Sequence, residues 1–314
     1  MKELVVISGK GGTGKTTLTG AFAELAEDAV LADCDVDASD LHLLLKPRVR
    51  RREVFRSGRV AQIRTADCTG CGLCHDYCRF DAVIPPAAPQ PSPDVAGAYA
   101  IDPIGCEGCG VCVRFCPAQA IDFPERESGL WFVSDTRAGP MVHARLNVAA
   151  ENSGKLVSLV REQARRLAEA TGRERIIIDG PPGIGCPVIA AITGATFVLA
   201  VAEPTRSGRH DLERVLGLAQ HFAIPAGICI NKFDLHPGLA GEMTHEWAER
   251  GVPTLGQVPY SAVVTHAQVA GESLLQSQPT AEVTERIVSI WQRVAARLDG
   301  AAQAQPEPGA EVRP

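Results

Sequence analysis

The nine residues GKGGTGKTT at positions 9–17 constrain this chain more than any other feature of it. They follow the apolar run ELVVIS and lead into KTTLTGAFAELAE, whose apolar positions recur at helical spacing. Gly9, Gly14, Lys15 and Thr16 fit G-x-x-x-x-G-K-[ST], and a strand before that pattern with a helix after it is the setting in which it cradles phosphate. Glycines let backbone amides turn towards the phosphates, Lys15 brings charge to the outer ones, and the Thr16 hydroxyl can ligate magnesium. A glycine-rich turn with a surface lysine is the plainer alternative, and the flanking strand and helix argue against it.

The rest of the chain repeats the strand-then-helix rhythm. AVLADCDV, RIIIDGPPG, TFVLAVAEP and PAGICINKFD are further apolar runs that end in polar or turn residues, with helical stretches at 155–170 and 208–221. This alternation predicts an α/β fold with a parallel sheet flanked by helices and functional loops at the carboxyl ends of the strands. Between 60 and 125 the pattern gives way to cysteine, glycine and proline, with PPAAPQPSP at 85–93 unable to form regular structure. The predicted organisation is therefore a core in two parts, 1–59 and 126–299, an inserted α+β domain at 60–125, and a disordered tail at 300–314. A last helix is expected over roughly 280–298.

Two strand ends carry acids suited to a nucleotide site. Asp179, in IIIDGPPG, stands where a carboxylate would orient magnesium, indirectly, and Gly180 to Gly183 can form a loop that senses the terminal phosphate. Asp35, in LADCDVDASD, is the candidate for positioning the attacking water, with Asp33, Asp37 and Asp40 as rivals.

The extra Lys10 makes GKGGTGKTT resemble the deviant phosphate loop of the MinD/Mrp class of P-loop ATPases, which includes the nitrogenase iron protein and the Mrp/Nbp35 cluster carriers. The resemblance implies an ATP-hydrolysing homodimer. ATP and Mg2+ would be held by Gly9, Lys10, Gly11, Gly12, Thr13, Gly14, Lys15, Thr16 and Thr17, and Lys10 would reach the partner chain's nucleotide. It also implies catalytic roles for Lys10, Lys15, Asp35 and Asp179. NKFD at 231–234 also looks like the guanine-reading motif of GTPases; in the MinD-like class an asparagine here contacts adenine, which assigns Asn231 to the base and favours ATP.

Cys68, Cys71, Cys74 and Cys78 are spaced C-x2-C-x2-C-x3-C, and Cys106, Cys109, Cys112 and Cys116 repeat the spacing with Pro117 following. Three close cysteines can wrap three corners of a cubic cluster while the fourth serves the cluster of the other half. Zinc also takes thiolates, but its sites usually separate C-x-x-C pairs by a longer spacer. The segment resembles a bacterial ferredoxin with two [4Fe-4S] clusters. Carried over, one cluster takes Cys68, Cys71, Cys74 and Cys116, and the other Cys106, Cys109, Cys112 and Cys78. Arg79 stands where the first run would carry proline, so the two clusters need not share one potential. Cys34 and Cys229 read as buried apolar residues. Cys186, seven positions after Asp179, has a placement similar to that of a cluster ligand in the nitrogenase iron protein, and could bridge a centre between two chains.

Together these motifs resemble the MinD superfamily P-loop ATPases that contain an inserted ferredoxin domain. The expected function is ATP-driven dimer closure coupled to electron transfer, with an acceptor or donor redox protein as partner. The alternatives are an Fe-S assembly or carrier ATPase acting on an apo Fe-S protein and, further off, a MinD-like positioning ATPase. The N-terminus lacks the pattern of a secretory signal and no apolar run reaches the roughly 18 residues a spanning helix needs, so a cytoplasmic protein without a membrane anchor is expected. The formal net charge of -6 gives no reason to expect nucleic acid. The basic stretch 46–59, with Lys46, Arg48, Arg50, Arg51, Arg52, Arg56 and Arg59, reads as a hairpin with solvated arginines or as a docking face for an acidic protein.

Overall fold

Runs of apolar and β-branched residues become the strands of one large sheet in the computed structural model, which describes residues 1–86, 98–147 and 152–303. The chain opens with β1 (Lys2–Ser8), α1 (Lys15–Leu25), β2 (Ala29–Asp33), α2 (Leu41–Leu45) and β3 (Arg48–Arg59). Short elements follow: β4 (Gln62–Ile63), α3 (Leu73–Asp76), β5 (Val83–Ile84), β6 (Ala100–Ile101), α4 (Val111–Phe115) and β7 (Ile121–Asp122). Next come β8 (Glu125–Thr136), β9 (Gly139–Leu146), α5 (Ser153–Thr171), β10 (Arg175–Pro182), α6 (Cys186–Ile192), β11 (Phe197–Ala202) and α7 (Arg206–His221). The chain closes with β12 (Ala226–Asn231), α8 (Pro237–Glu249), β13 (Thr254–Val258), α9 (Ala262–Ala270), α10 (Leu274–Ser277) and α11 (Glu282–Gln303).

The sheet order is β13-β12-β11-β1-β10-β2-β9-β8-β3. Every pairing from β13 to β9 is parallel. β1 lies between β10 and β11, so its carboxyl end opens where the strand order turns, the place at which open α/β sheets bind ligands. Successive side chains of β1 point to opposite faces. Leu4 and Val6 join a buried cluster with Phe22 of α1 and Ile287, Trp291 and Val294 of α11, the Phe22 and Trp291 rings lying 5.3 Å apart. Val5 and Ile7, equally buried, point to the opposite face, which α5, α6 and α7 cover. Burying a side chain of this size contributes about 1.5–3 kcal/mol, so the two layers together hold the sheet.

The chain divides into two compact units, one made of residues 1–53, 130–145 and 153–314, the other of 54–129 and 146–152. The cysteine-rich stretch 60–125 falls within the second. In that unit β4 pairs antiparallel with β7, and β5 with β6. Strand, helix, strand thus occurs twice, β4-α3-β5 and β6-α4-β7, and each half lends a strand to the other.

Two local expectations change. The basic stretch is not a hairpin: Arg48 to Arg59 form β3, which lies at the sheet edge beside β8, a strand more than sixty residues further along the chain. Its arginines are exposed, and several are neutralised, Arg50 by Asp135, Arg51 by Glu53 and Arg56 by Glu127. Such exposed pairs are worth about 0–1 kcal/mol each. The last helix runs to Gln303 rather than ending near 298, since GAAQ offers two alanines, the strongest helix formers, to continue it. The remainder of the tail expected to be disordered, 304–314, lies outside the described residues, as does most of PPAAPQPSP.

Candidate functional site

The phosphate loop runs from the end of β1 to the start of α1. Gly14 sits at φ 92°, a left-handed conformation, and a Cβ there would stand 2.4 Å from Asn231 Nδ2. Both the backbone angle and the close approach exclude a side chain. Thr13 is buried, and its Oγ1 has no hydrogen-bond partner among the described residues. A buried orphan hydroxyl at a phosphate loop fits a ligand that brings its own acceptors.

The loop opens on a cleft of about 530 Å³, whose lining includes Gly11, Gly12, Lys15, Thr16, Thr17, Asp35, Asp40, Asn231 and Tyr260. Thr16 donates to Asp179 Oδ2 at 2.7 Å, and the Thr19 hydroxyl lies 3.0 Å from Asp179 Oδ1. The Lys15 ammonium is 3.4 Å from Asp35 Oδ2, with both side chains nearly buried. Burial pushes the carboxyls of Asp35 and Asp179 up, and Lys15 opposes the shift in both. The Thr16 hydroxyl, with Asp179 behind it, could hold magnesium, and a divalent cation there would offset the desolvation of that carboxylate.

Among the rival acids, Asp35 and Asp40 line the cleft. Asp33 does not: it accepts from Ser39 Oγ at 2.6 Å and from the Asp35 amide at 3.2 Å, and so braces the loop. Burial first, then the charge of Asp179, raise its carboxyl well above the usual range. Asp37 is exposed to solvent.

Lys10 is engaged within its own chain. Its Nζ lies 3.0 Å from Glu203 Oε2, and Lys232 Nζ lies 2.5 Å from Glu203 Oε1. Glu203 is an acid at the carboxyl end of β11 that sequence reasoning did not single out, although strand ends are where such residues are to be sought. Asn231 donates from Nδ2 to the Thr13 carbonyl at 2.8 Å and accepts the Lys232 amide at 3.0 Å, so its carboxamide ties β12 to the phosphate loop. Asp234, the last residue of NKFD, accepts the Tyr260 amide through Oδ1 at 2.6 Å. Half of the carboxylate that would read guanine is thereby spent on a backbone contact.

The clustered cysteines line two cavities in the second unit. One cavity is lined by Cys78, Cys106, Cys109 and Cys112, and another by Cys68, Cys71, Cys74 and Cys116. Each takes three thiols from one run and the fourth from the other. Gly72 and Gly110 head α3 and α4 at φ 80° and 73°, turning each loop around its cavity. Gly108 is required by contact as well, since a Cβ there would meet the Arg59 carbonyl at 2.4 Å. All eleven cysteines are free thiols. Burial pushes Cys112 up to about 11, and Cys106 and Cys109 add to it. Among the described residues no group of three or more His, Cys, Asp or Glu converges as a single metal ion would require; the thiols border voids instead. Three thiols of one run and one of the other make up the donor set that a [4Fe-4S] cluster would take, so each lining could hold one.

Cys186 is exposed at the first position of α6, and Cys34 and Cys229 are buried, the latter pushed up to about 12 by that burial.

A parallel sheet with this loop at the end of its central strand, a buried lysine and a threonine–aspartate pair defines an α/β P-loop nucleoside triphosphatase fold. Within that class the chain belongs to the CobQ/CobB/MinD/ParA nucleotide-binding family, whose model matches residues 4–274, and so to the MinD superfamily. Protein MJ0578 of Methanocaldococcus jannaschii, described as uncharacterized, is 33% identical over 236 residues, which are 73% of this chain and 78% of that protein. A putative septum site-determining protein MinD of Oltmannsiellopsis viridis is 23% identical over 282 residues, 87% of this chain and 69% of that one. Among solved structures, MinD of Pyrococcus horikoshii complexed with Mg-ADP superposes with a TM-score of 0.55 at 15% identity, covering 93% of this chain and 95% of that chain. The cell division ATPase MinD of Pyrococcus furiosus gives 0.54 at 16%, covering 94% and 98%. At these identities the structural likeness speaks for the fold.

Proposed function

We propose that this protein is an ATP-hydrolysing iron-sulfur protein, in which nucleotide-driven pairing of two chains governs electron transfer between two [4Fe-4S] clusters and a redox partner. The observation that carries the reading is the crosswise lining of the two thiol cavities. That arrangement is what two compact C-x2-C-x2-C-x3-C runs need in order to serve two clusters at once. Clusters bound there would supply one-electron transfer; the chain's part is to hold them and to bind nucleotide.

Lys15 and the loop amides bind the β and γ phosphates, Thr16 takes Mg2+ with Asp179 behind it, and Asp35 orients water. Lys10 crosses to the nucleotide of the partner chain. The chain leaves the Asp35 loop for β3 through α2 and returns through β8, β9 and α5 before β10 delivers Asp179, so the cysteine-rich stretch is inserted in the chain between the two phosphate-responsive loops. Nucleotide state can bias the segments that lead into and out of that stretch.

Protein purified without oxygen should contain about eight irons per chain, two clusters of four. Cys78→Ala should remove the cluster served by Cys106, Cys109 and Cys112, and Cys116→Ala the other. Zinc in place of iron, or a Cys78→Ala variant that loses the cluster of its own run, would sink the reading. The carrier alternative draws support from Cys186, an exposed thiol just past the phosphate-sensing loop; iron that disappears only with Cys186→Ala would favour it.

A further inference from the structure

Glu203 stands between two lysines of the nucleotide site, and neither has another acidic partner among the described residues. It leaves the end of β11 on a turn that allows little movement. The Thr205 amide donates to the Glu203 carbonyl at 2.8 Å, and a Cβ on Gly208 would stand 2.3 Å from that same oxygen. The carboxylate is half-buried, and although burial alone would raise it, Lys232 and Lys10 together hold it below the usual range. Lys232 is itself fixed, with its Nζ 3.4 Å from the Gly12 carbonyl and its amide on Asn231. One prong of Glu203 is therefore pinned by Lys232, and the other keeps Lys10 folded against its own chain.

We propose that Glu203 is a positioning residue that parks Lys10 in the unpaired chain, so that Lys10 reaches a second copy's nucleotide only by leaving this carboxylate. The inference rests on the reading that Lys10 acts across a dimer. A triphosphate on the second copy offers more negative charge than one carboxylate and draws Lys10 off, whereas a diphosphate lacks the outermost charge. Glu203 thus raises the threshold for pairing and sharpens its dependence on the γ-phosphate. Removing its charge while keeping its shape lowers that threshold.

The test uses the full chain and Glu203→Gln. In nucleotide-free protein, the acetylation rate of Lys10, read by mass spectrometry against that of exposed lysines, should rise several-fold in Glu203→Gln. The dimer formed in Mg-ATP, read by analytical ultracentrifugation, should tighten several-fold, and a measurable dimer should appear in Mg-ADP. In a Lys10→Ala background the Glu203→Gln change should leave dimerisation where it was. Unchanged Lys10 labelling, or a dimer effect that persists without Lys10, overturns the parking role. Wild type that pairs equally well with and without Lys10 overturns the underlying reading as well, and is told apart by the Lys10→Ala protein alone.

Discussion

Gly14 illustrates how much of the nucleotide site was written into single residues. The pattern G-x-x-x-x-G-K-[ST] identified it, and the structure gives two reasons for it, a left-handed backbone and an approach to Asn231 so close that a Cβ would stand 2.4 Å from Nδ2. Gly14→Ala should abolish nucleotide binding measured by calorimetry, because the loop cannot keep both its conformation and its contact with β12. Lys15→Ala should abolish ATP hydrolysis while leaving the fold intact, and Lys10→Ala should slow it severalfold, unchanged activity contradicting a role for Lys10 across the pair. That Lys15, Thr16 and Asp179 meet at one site was legible because spacing along one short loop and one strand end brings them there. Glu203 was not, since its meaning depends on two lysines brought to it from other strands. His143 was equally silent in the sequence: it stacks on Phe132 at 4.9 Å, its Nε2 lies 2.9 Å from Ser134 Oγ, and burial, with some help from His42, pulls it down to about 4 from the ordinary 6.5. The unfolded chain therefore takes up this proton first as pH falls. The stability due to neutral His143 is complete above about pH 6.5 and drains away as pH drops towards about 4. Urea midpoints compared between wild type and His143→Gln should diverge above that window and converge below it.

At the scale of elements, α5 is tied to the sheet by a buried ion cluster. Arg161 meets Glu3 of β1 and donates to the carbonyls of Ala190 and Thr193 at 2.7 and 2.8 Å, and Arg165 meets the same glutamate. These contacts hold the far end of α6, the helix that begins at Cys186. Arg161→Ala leaves Glu3 to Arg165 alone and strands two carbonyls, and should cost about 1–3 kcal/mol in denaturant unfolding. The five strands expected from apolar runs are present as β1, β2, β10, β11 and β12. β13 escaped notice because TLGQV has neither an apolar run nor clean alternation; Gly256 sits there since a Cβ would meet Ile290 of α11 at 2.3 Å. A glycine chosen by a helix thirty residues away reads in the sequence as a turn. β3 was obscured differently, by arginines that read as those of a local hairpin but lie along a sheet edge, where charged side chains discourage pairing with stray strands.

For the whole molecule, the parallel sheet and its nucleotide cleft followed from the order of strands and helices, and the two cysteine runs announced a repeated unit. Spacing alone could not reveal how that unit is closed. The two halves exchange strands, β4 with β7 and β5 with β6, and the aromatic residues just before the crossing cysteines, Tyr77 and Phe115, meet at 4.9 Å. No helix among the described residues is long and apolar enough to cross a membrane. The central claim is that nucleotide and redox chemistry are linked in one chain. Its most direct test is the EPR spectrum and midpoint potential of the reduced, anaerobically purified protein with and without Mg-ATP, in wild type and Lys15→Ala. The account predicts a line shape or potential that changes with Mg-ATP in wild type and not in Lys15→Ala. Iron-sulfur signals identical with and without Mg-ATP, in wild-type protein that hydrolyses ATP, would contradict it.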